Sequence, residues 1–198
     1  MSGIDIVLAS GSPRRRELLT ALGWTFRIIV PDVDETAFPG EAPTELCLRL
    51  AAAKAEAVAE RNGNSLIVAA DTIVLLDGKI LGKPADAAES LRMIRSLQGR
   101  VHEVLTGVGV AWKGRRANAV ERTVVRFRAL DEDSLQAYAA TGEGRDKAGA
   151  YAIQGRGALL VSSIDGDYFN VVGLPLCRLS LLIEEMGLPL PAQWRDFE

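Results

Sequence analysis

Residues 4–23 read IDIVLASGSPRRRELLTALG, and the fold class turns on this stretch. Residues 4–9 are a short apolar run of β type, Ser10-Gly11-Ser12-Pro13 is a turn, and the spacing that follows predicts a helix over residues 13–22, closed by Gly23. Strand, glycine turn and helix in that order open an α/β unit. The helix start also breaks a rule. A helix N-terminus carries about half a positive charge and favours carboxylates in its first turn, yet Pro13 is followed by Arg14, Arg15 and Arg16. Backbone amides, the glycine turn beginning at Ser10 and guanidinium forks combine into a phosphate site, where an anion offsets the crowded positive charge. On that reading, removing the Arg15 side chain should leave stability unchanged or slightly improved. The plainer alternative is three arginines splayed into solvent.

Further along, periodicity predicts a second helix over about residues 44–61, with Leu46, Leu50, Ala53 and Ala57 as its apolar positions. Residues 66–70 and 73–76 are apolar runs interrupted by Asp71-Thr72, and an Asp77-Gly78 turn leads into a strand at 79–81. Asp86 and Glu89 bracket the start of a third helix whose buried stripe is Leu91, Ile94 and Leu97. Residues 101–127 read as strand, Lys113-Gly114 turn, strand, with Thr123, Val125 and Phe127 alternating against Arg122, Val124 and Arg126. A fourth helix is expected over about residues 131–140, then a glycine-rich segment at 142–157, a hairpin turning at Asp165-Gly166, and a last helix over about 175–186. From Leu188 on, helix breakers predict a loosely attached tail. No repeat, low-complexity tract or linker interrupts the pattern, so residues 1–198 read as a single mixed α/β domain with a cleft.

Composition narrows the function. A chain of 198 residues with 48% hydrophobic and 25% charged side chains can bury its own core, which excludes disordered and disulfide-stapled classes. The net charge of −3 from 23 basic and 26 acidic residues argues against a nucleic-acid binder, so any cationic site is local. Cys47, Cys177 and His102 are too few for a structural zinc site, and so few cysteines suit a reducing cytoplasm. No stretch approaches the roughly 18 apolar residues of a membrane span, and the N-terminus lacks a signal-peptide pattern.

Asp71 is the second anomaly, a carboxylate inside an otherwise apolar run. Burying an ionised carboxylate costs several kcal/mol unless a cation or several donors compensate, so general base, metal ligand and structural hydrogen-bonder are its three readings. Lys54 falls on the inner flank of the second helix, and spacing alone favours its ammonium snorkelling to water. Lys83, in Leu81-Gly82-Lys83-Pro84, follows the turn after Asp71 and can reach the same cleft. Residues 78–84 fail the phosphate-loop spacing by one residue and have proline where a hydroxyl belongs, and the glycines at 142–157 miss the dinucleotide spacing.

Four segments, LASGSPRRRELL at 8–19, ADTIV at 70–74, LGKP at 81–84 and KAGAYAIQGRG at 147–157, followed by YFNVVGLPL at 168–176, resemble the Maf family of nucleoside triphosphate pyrophosphatases nearly throughout the chain. The resemblance is to the subfamily acting on dTTP and UTP, with its Asp-Thr pair and Ala-Tyr-x-Ile-Gln-Gly segment; the departure is Ala152, where many relatives have glycine. It implies a two-lobed α/β fold around a deep cleft, related to inosine triphosphatases. It further implies Asp71 as catalytic base, Glu35 and Asp71 holding a Mg²⁺ or Mn²⁺ ion, and Ser10, Arg14, Arg15, Lys54 and Lys83 binding the triphosphate of the nucleotide substrate. Arg14, Thr72 and Gln154 match the specificity positions, and a cytoplasmic homodimer is the implied assembly. Uracil and thymine both present N3–H beside O4, and one glutamine amide can accept from the first and donate to the second, so Gln154 can read either base while cytosine reverses both groups. The alternatives are action on 7-methyl-GTP and a non-catalytic nucleotide-binding regulator of cell division.

Overall fold

Parallel pairing is set by the opening of the chain. In the computed structural model, which describes residues 3–197, strand β1 (Ile6–Leu8) leads through helix α1 (Pro13–Ala21) to β2 (Phe26–Ile28), and the strands pair in parallel with Ile6 opposite Phe26. Helix α2 (Pro43–Ala59) returns the chain to β3 (Leu66–Leu76), which lies in parallel on the other side of β1 with Ile6 opposite Leu66. Parallel strands covered on both faces must be apolar on both faces. Ile6, Val7 and Leu8 are fully buried, as are Leu66, Ile67, Val68, Ala69 and Ala70. β3 is one strand, not two runs, and carries Asp71-Thr72 within it. β2, too short and too exposed to show a pattern, was not legible in the sequence.

β4 (Lys79–Leu81) returns antiparallel on β3, and α3 (Ala87–Leu97) starts at Asp86, whose carboxylate accepts from the Glu89 amide at 2.7 Å. β5 (Val101–Trp112) and β6 (Arg115–Phe127) follow, then α4 (Glu132–Ala140) and β7 (Val161–Asp165), antiparallel to β6. The sheet order is β2-β1-β3-β5-β6-β7, with β4 on β3. After Gly166 the chain does not turn into a second hairpin strand. It enters the short helix α5 (Tyr168–Val172), because the Asp167 carboxylate accepts from the Phe169 amide at 2.7 Å and the Thr123 hydroxyl donates to the Asp167 carbonyl at 2.9 Å. Helices α6 (Leu176–Glu185) and α7 (Leu190–Arg195) complete the chain.

The residues fall into two compact units. The first takes the chain up to Asp71, residues 106–121 and residues from Gly173 on, with Val7, Ala55, Val58, Ile67 and Ala111 in its core. The second takes residues 72–105 and 122–172, around Ile94, Leu97, Val104, Phe127 and Leu135. Within the first unit the tail is docked, contrary to the expectation of loose attachment. Phe197 is 1% exposed and packs edge-on against Trp24 with ring centroids 4.7 Å apart, while the Thr25 amide donates to its carbonyl at 2.7 Å. The prolines at 189 and 191 start α7 instead of breaking order, and burial of Leu188 and Phe197 offsets the cost of fixing the tail.

Candidate functional site

In the first unit, α1 begins after Ser12 with Pro13 in its first turn, no side chain capping it and no acidic residue in that turn. Arg14 and Arg15 are half-buried and Arg16 is exposed. Arg15 is tethered, not splayed. Its Nε donates to the Gly173 carbonyl at 2.7 Å and its Nη1 to the Ser10 hydroxyl at 3.1 Å, and the same hydroxyl accepts from the Ser12 amide at 3.1 Å. Burial lowers the proton affinity of the Arg15 guanidinium below its ordinary value, with Asp71 and Glu35 opposing the shift and Arg14 reinforcing it.

Helix α2 places the second group. Cys47, Ala51 and Lys54 share a face by helical spacing, and this face meets β5 at two glycines. A Cβ on Gly107 would stand 2.2 Å from the Cys47 carbonyl oxygen, and one on Gly109 would stand 2.6 Å from that of Ala51, so the helix backbone lies directly on the strand. One turn on, Lys54 is buried at 9% exposure instead of snorkelling to water. Its Nζ lies 2.6 Å from Asp71 Oδ1 and 2.6 Å from Glu35 Oε1. Asp71, equally buried, thus has the cation that its position requires, and Glu35 reaches the same ammonium from an exposed loop.

That loop is braced by residues the sequence reading missed. The Asp34 carboxylate accepts from the Thr36 amide at 2.9 Å, and Arg49 on α2 donates to the Thr36 carbonyl at 3.0 Å, chelates Glu41 at 2.6 and 2.8 Å, and stacks on the Phe38 ring at 4.1 Å. Arg49 holds the Glu41 carboxyl down to about 2. A legible signal was present only for the glycines, since Gly107 and Gly109 inside an apolar strand mark a close backbone approach. Arg49 and Glu41 are eight residues apart across a loop, a spacing with no pattern to read.

Thr72, Lys83 and Gln154 belong to the second unit. Thr72 follows Asp71 in β3 and points to the opposite side of the strand. Lys83 is exposed, and its neighbour Gly82 accepts from the Gly149 amide at 3.1 Å, which ties its loop to the segment leading to Gln154. That segment is clamped by further side chains. The Tyr138 hydroxyl accepts from the Ala152 amide at 3.2 Å, Glu143 accepts from the Arg156 and Gly157 amides at 2.9 and 2.8 Å, and the Tyr151 hydroxyl lies 2.8 Å from His102 Nε2. Burial holds the His102 imidazole down to about 4 and pushes the Tyr151 phenol up. Gln154 itself is half-buried in extended backbone.

Fold and site together define an α/β protein that gathers guanidinium and ammonium groups beside a pair of carboxylates. The family model for Maf-like protein matches residues 5–186, and the chain belongs to the Maf family. It is 51% identical over 94% of its length, and 96% of the relative's, to a Symbiobacterium thermophilum protein named dTTP/UTP pyrophosphatase. A Pelotomaculum thermopropionicum protein of the same name is 50% identical over 92% of this chain and 97% of the relative. Among solved structures, a nucleoside-triphosphatase described as a dITP/XTP pyrophosphatase from Mycobacterium abscessus aligns with a TM-score of 0.43 at 14% identity, over 93% of this chain and 97% of that one. Among the described residues no helix is long and apolar enough to cross a membrane.

Proposed function

We propose that this protein hydrolyses dTTP and UTP between the α- and β-phosphates, giving the nucleoside monophosphate and diphosphate. The observation that carries the reading is identity of about half, over nearly the whole of both chains, to relatives that bear that name. The site chemistry is consistent with it. Attack by water on the α-phosphorus needs a base for the water's proton and cations for the charge that builds on the departing diphosphate. Asp71 is the base in this reading, with the Lys54 ammonium 2.6 Å from its carboxylate. Ser10, Arg14, Arg15, Lys54 and Lys83 bind the triphosphate, while Arg14, Thr72 and Gln154 set the choice of base.

A divalent cation fits the donor set. Asp71 and Glu35 present two hard carboxylate oxygens close enough to share one ammonium, and Mg²⁺ is commonly held by one or two carboxylates with substrate phosphates and water completing the shell. Among the described residues no group of three or more His, Cys, Asp or Glu side chains gathers, so phosphate and water would supply the remaining ligands. When bound, Mg²⁺ or Mn²⁺ supplies Lewis-acid stabilisation of the phosphoryl oxygens. Residues 1–198 act as one Maf-like domain in this reading, since the family match runs through segments of both units. A cytoplasmic homodimer is the expected form, measurable by light scattering after size exclusion.

Incubating the purified protein with a nucleotide panel and Mg²⁺ or Mn²⁺ tests the assignment. Monophosphate and diphosphate from UTP and dTTP support it. Preferential cleavage of 7-methyl-GTP, or nucleotide binding without any product, overturns it.

A further inference from the structure

Lys54 stands where a divalent cation would have to stand. Its Nζ is 2.6 Å from an oxygen of Asp71 and 2.6 Å from an oxygen of Glu35. A Mg²⁺ or Mn²⁺ ion drawing on the same two oxygens needs them at about 2.0–2.2 Å, inside the volume the ammonium occupies. The two cations therefore exclude one another. The helix that carries Lys54 is seated backbone to backbone on β5, Cys47 and Ala51 resting on Gly107 and Gly109 with no space for even a methyl group, so moving it would give up that packing. What can move is the four-carbon stem, which has three or more rotatable bonds and an ammonium that seeks anions. Nearby, the tethered Arg15 feels the charge of Asp71 and Glu35, the same two carboxylates that hold Lys54, so an anion arriving at the arginines comes within electrostatic reach of this cluster.

We propose that Lys54 is an exchangeable counter-cation of the Asp71–Glu35 pair: metal uptake displaces its ammonium from the carboxylates and thereby hands it to the triphosphate. This rests on the reading of Asp71 and Glu35 as the metal-holding pair. The consequence is a coupling between metal and nucleotide. Without nucleotide the lysine keeps the carboxylates neutralised and metal binds weakly; with nucleotide the displaced ammonium gains a new anionic partner, so each ligand raises the affinity for the other by the same factor.

The test is Mn²⁺ binding without nucleotide, followed by the electron paramagnetic resonance signal of free Mn²⁺, in wild type, Lys54→Gln and Lys54→Gln/Asp71→Asn. Glutamine keeps a hydrogen-bond donor for the carboxylates but removes the competing charge. Lys54→Gln should bind Mn²⁺ at least about 10-fold more tightly than wild type, given the size of a contact-distance charge interaction, and the double variant should lose that gain. Equal or weaker binding by Lys54→Gln overturns the exchange. If Lys54→Gln still binds Mn²⁺ and Lys54→Gln/Asp71→Asn does not, the metal pair stands and only the exchange falls; if none of the proteins binds Mn²⁺, both readings fall. A second measurement uses the wild-type protein alone. Acylation of lysines, read by mass spectrometry, should rise severalfold at Lys54 relative to exposed Lys79 when Mn²⁺ is added, and unchanged or reduced labelling overturns the proposal.

Discussion

Asp71 and Lys54 show how a single residue acquires its chemistry from where it is buried. Lys54 satisfies the Asp71 carboxylate and keeps Glu35 as a second partner, so Asp71→Asn should fold while turnover of UTP falls by at least about 10²-fold, the usual span for a lost base or metal ligand. Steady-state kinetics alongside thermal melting checks this, and half-retained activity refutes the role. Arg15 differs from its reading in the sequence. Because it anchors the Gly173 carbonyl and the Ser10 hydroxyl, Arg15→Ala should lower the melting temperature as well as reduce kcat/KM by roughly 10- to 10³-fold. A normal melting curve would return the side chain to a purely ligand-facing role. For Gln154, substitution by glutamate keeps the acceptor for N3–H but sets two acceptors against each other at O4, a cost of about 1 to 3 kcal/mol. The ratio of kcat/KM for UTP over CTP should drop about 10-fold or more, and an unchanged ratio means that Gln154 does not read the base.

At the scale of elements, the seating of α2 on β5 governs the site, because the same helix carries Lys54 toward Asp71 and Arg49 toward the loop of Glu35. Gly107→Ala would drive a methyl group to 2.2 Å from the Cys47 carbonyl oxygen, backbone that cannot rotate away. Overpacking of this kind costs about 1–3 kcal/mol or more, so a clear fall in melting temperature with loss of activity is expected. Gly63→Ala serves as the comparison. Its Cβ would meet only the Ala59 carbonyl at 3.9 Å, and a shift within about 0.5 kcal/mol is expected there. Equal tolerance of both changes would mean that the helix is not held by this contact.

At the scale of the whole molecule, depressed groups make the fold acid-sensitive in two windows, an upper one set by His102 and a lower one set by carboxylates of which Glu41 is among the most strongly held. His102 is held to about 4 by burial, so the unfolded chain takes up its proton first and stability is lost as pH falls from about 6.5 toward 4. Glu41 is held to about 2 by Arg49; its contribution is complete above about 4.5 and disappears as pH falls toward 2. Melting temperature should therefore decline across both windows. His102→Gln should flatten the upper arm and Glu41→Gln make the lower one shallower, and an unaltered pH profile in either variant removes that group from the account.

The sequence by itself determined the alternation of elements, the strand-turn-helix opening, the anomalous arginines and the lone carboxylate in β3, because each of these is a local pattern of propensity or periodicity within one element. It also carried the family resemblance, which the match over residues 5–186 bears out. Only the tertiary structure decided what those residues touch. Arg15 finds its acceptor 158 positions away at Gly173, Lys54 finds its two carboxylates from a strand and a loop, and Phe197 finds Trp24 near the other end of the chain. Strand β2 was illegible because it is short and exposed, whereas the docked tail, like Arg15 and Lys54, depends on contacts between distant segments. Such contacts are chosen by the burial of charge and apolar area in three dimensions, and no window along the chain contains both partners.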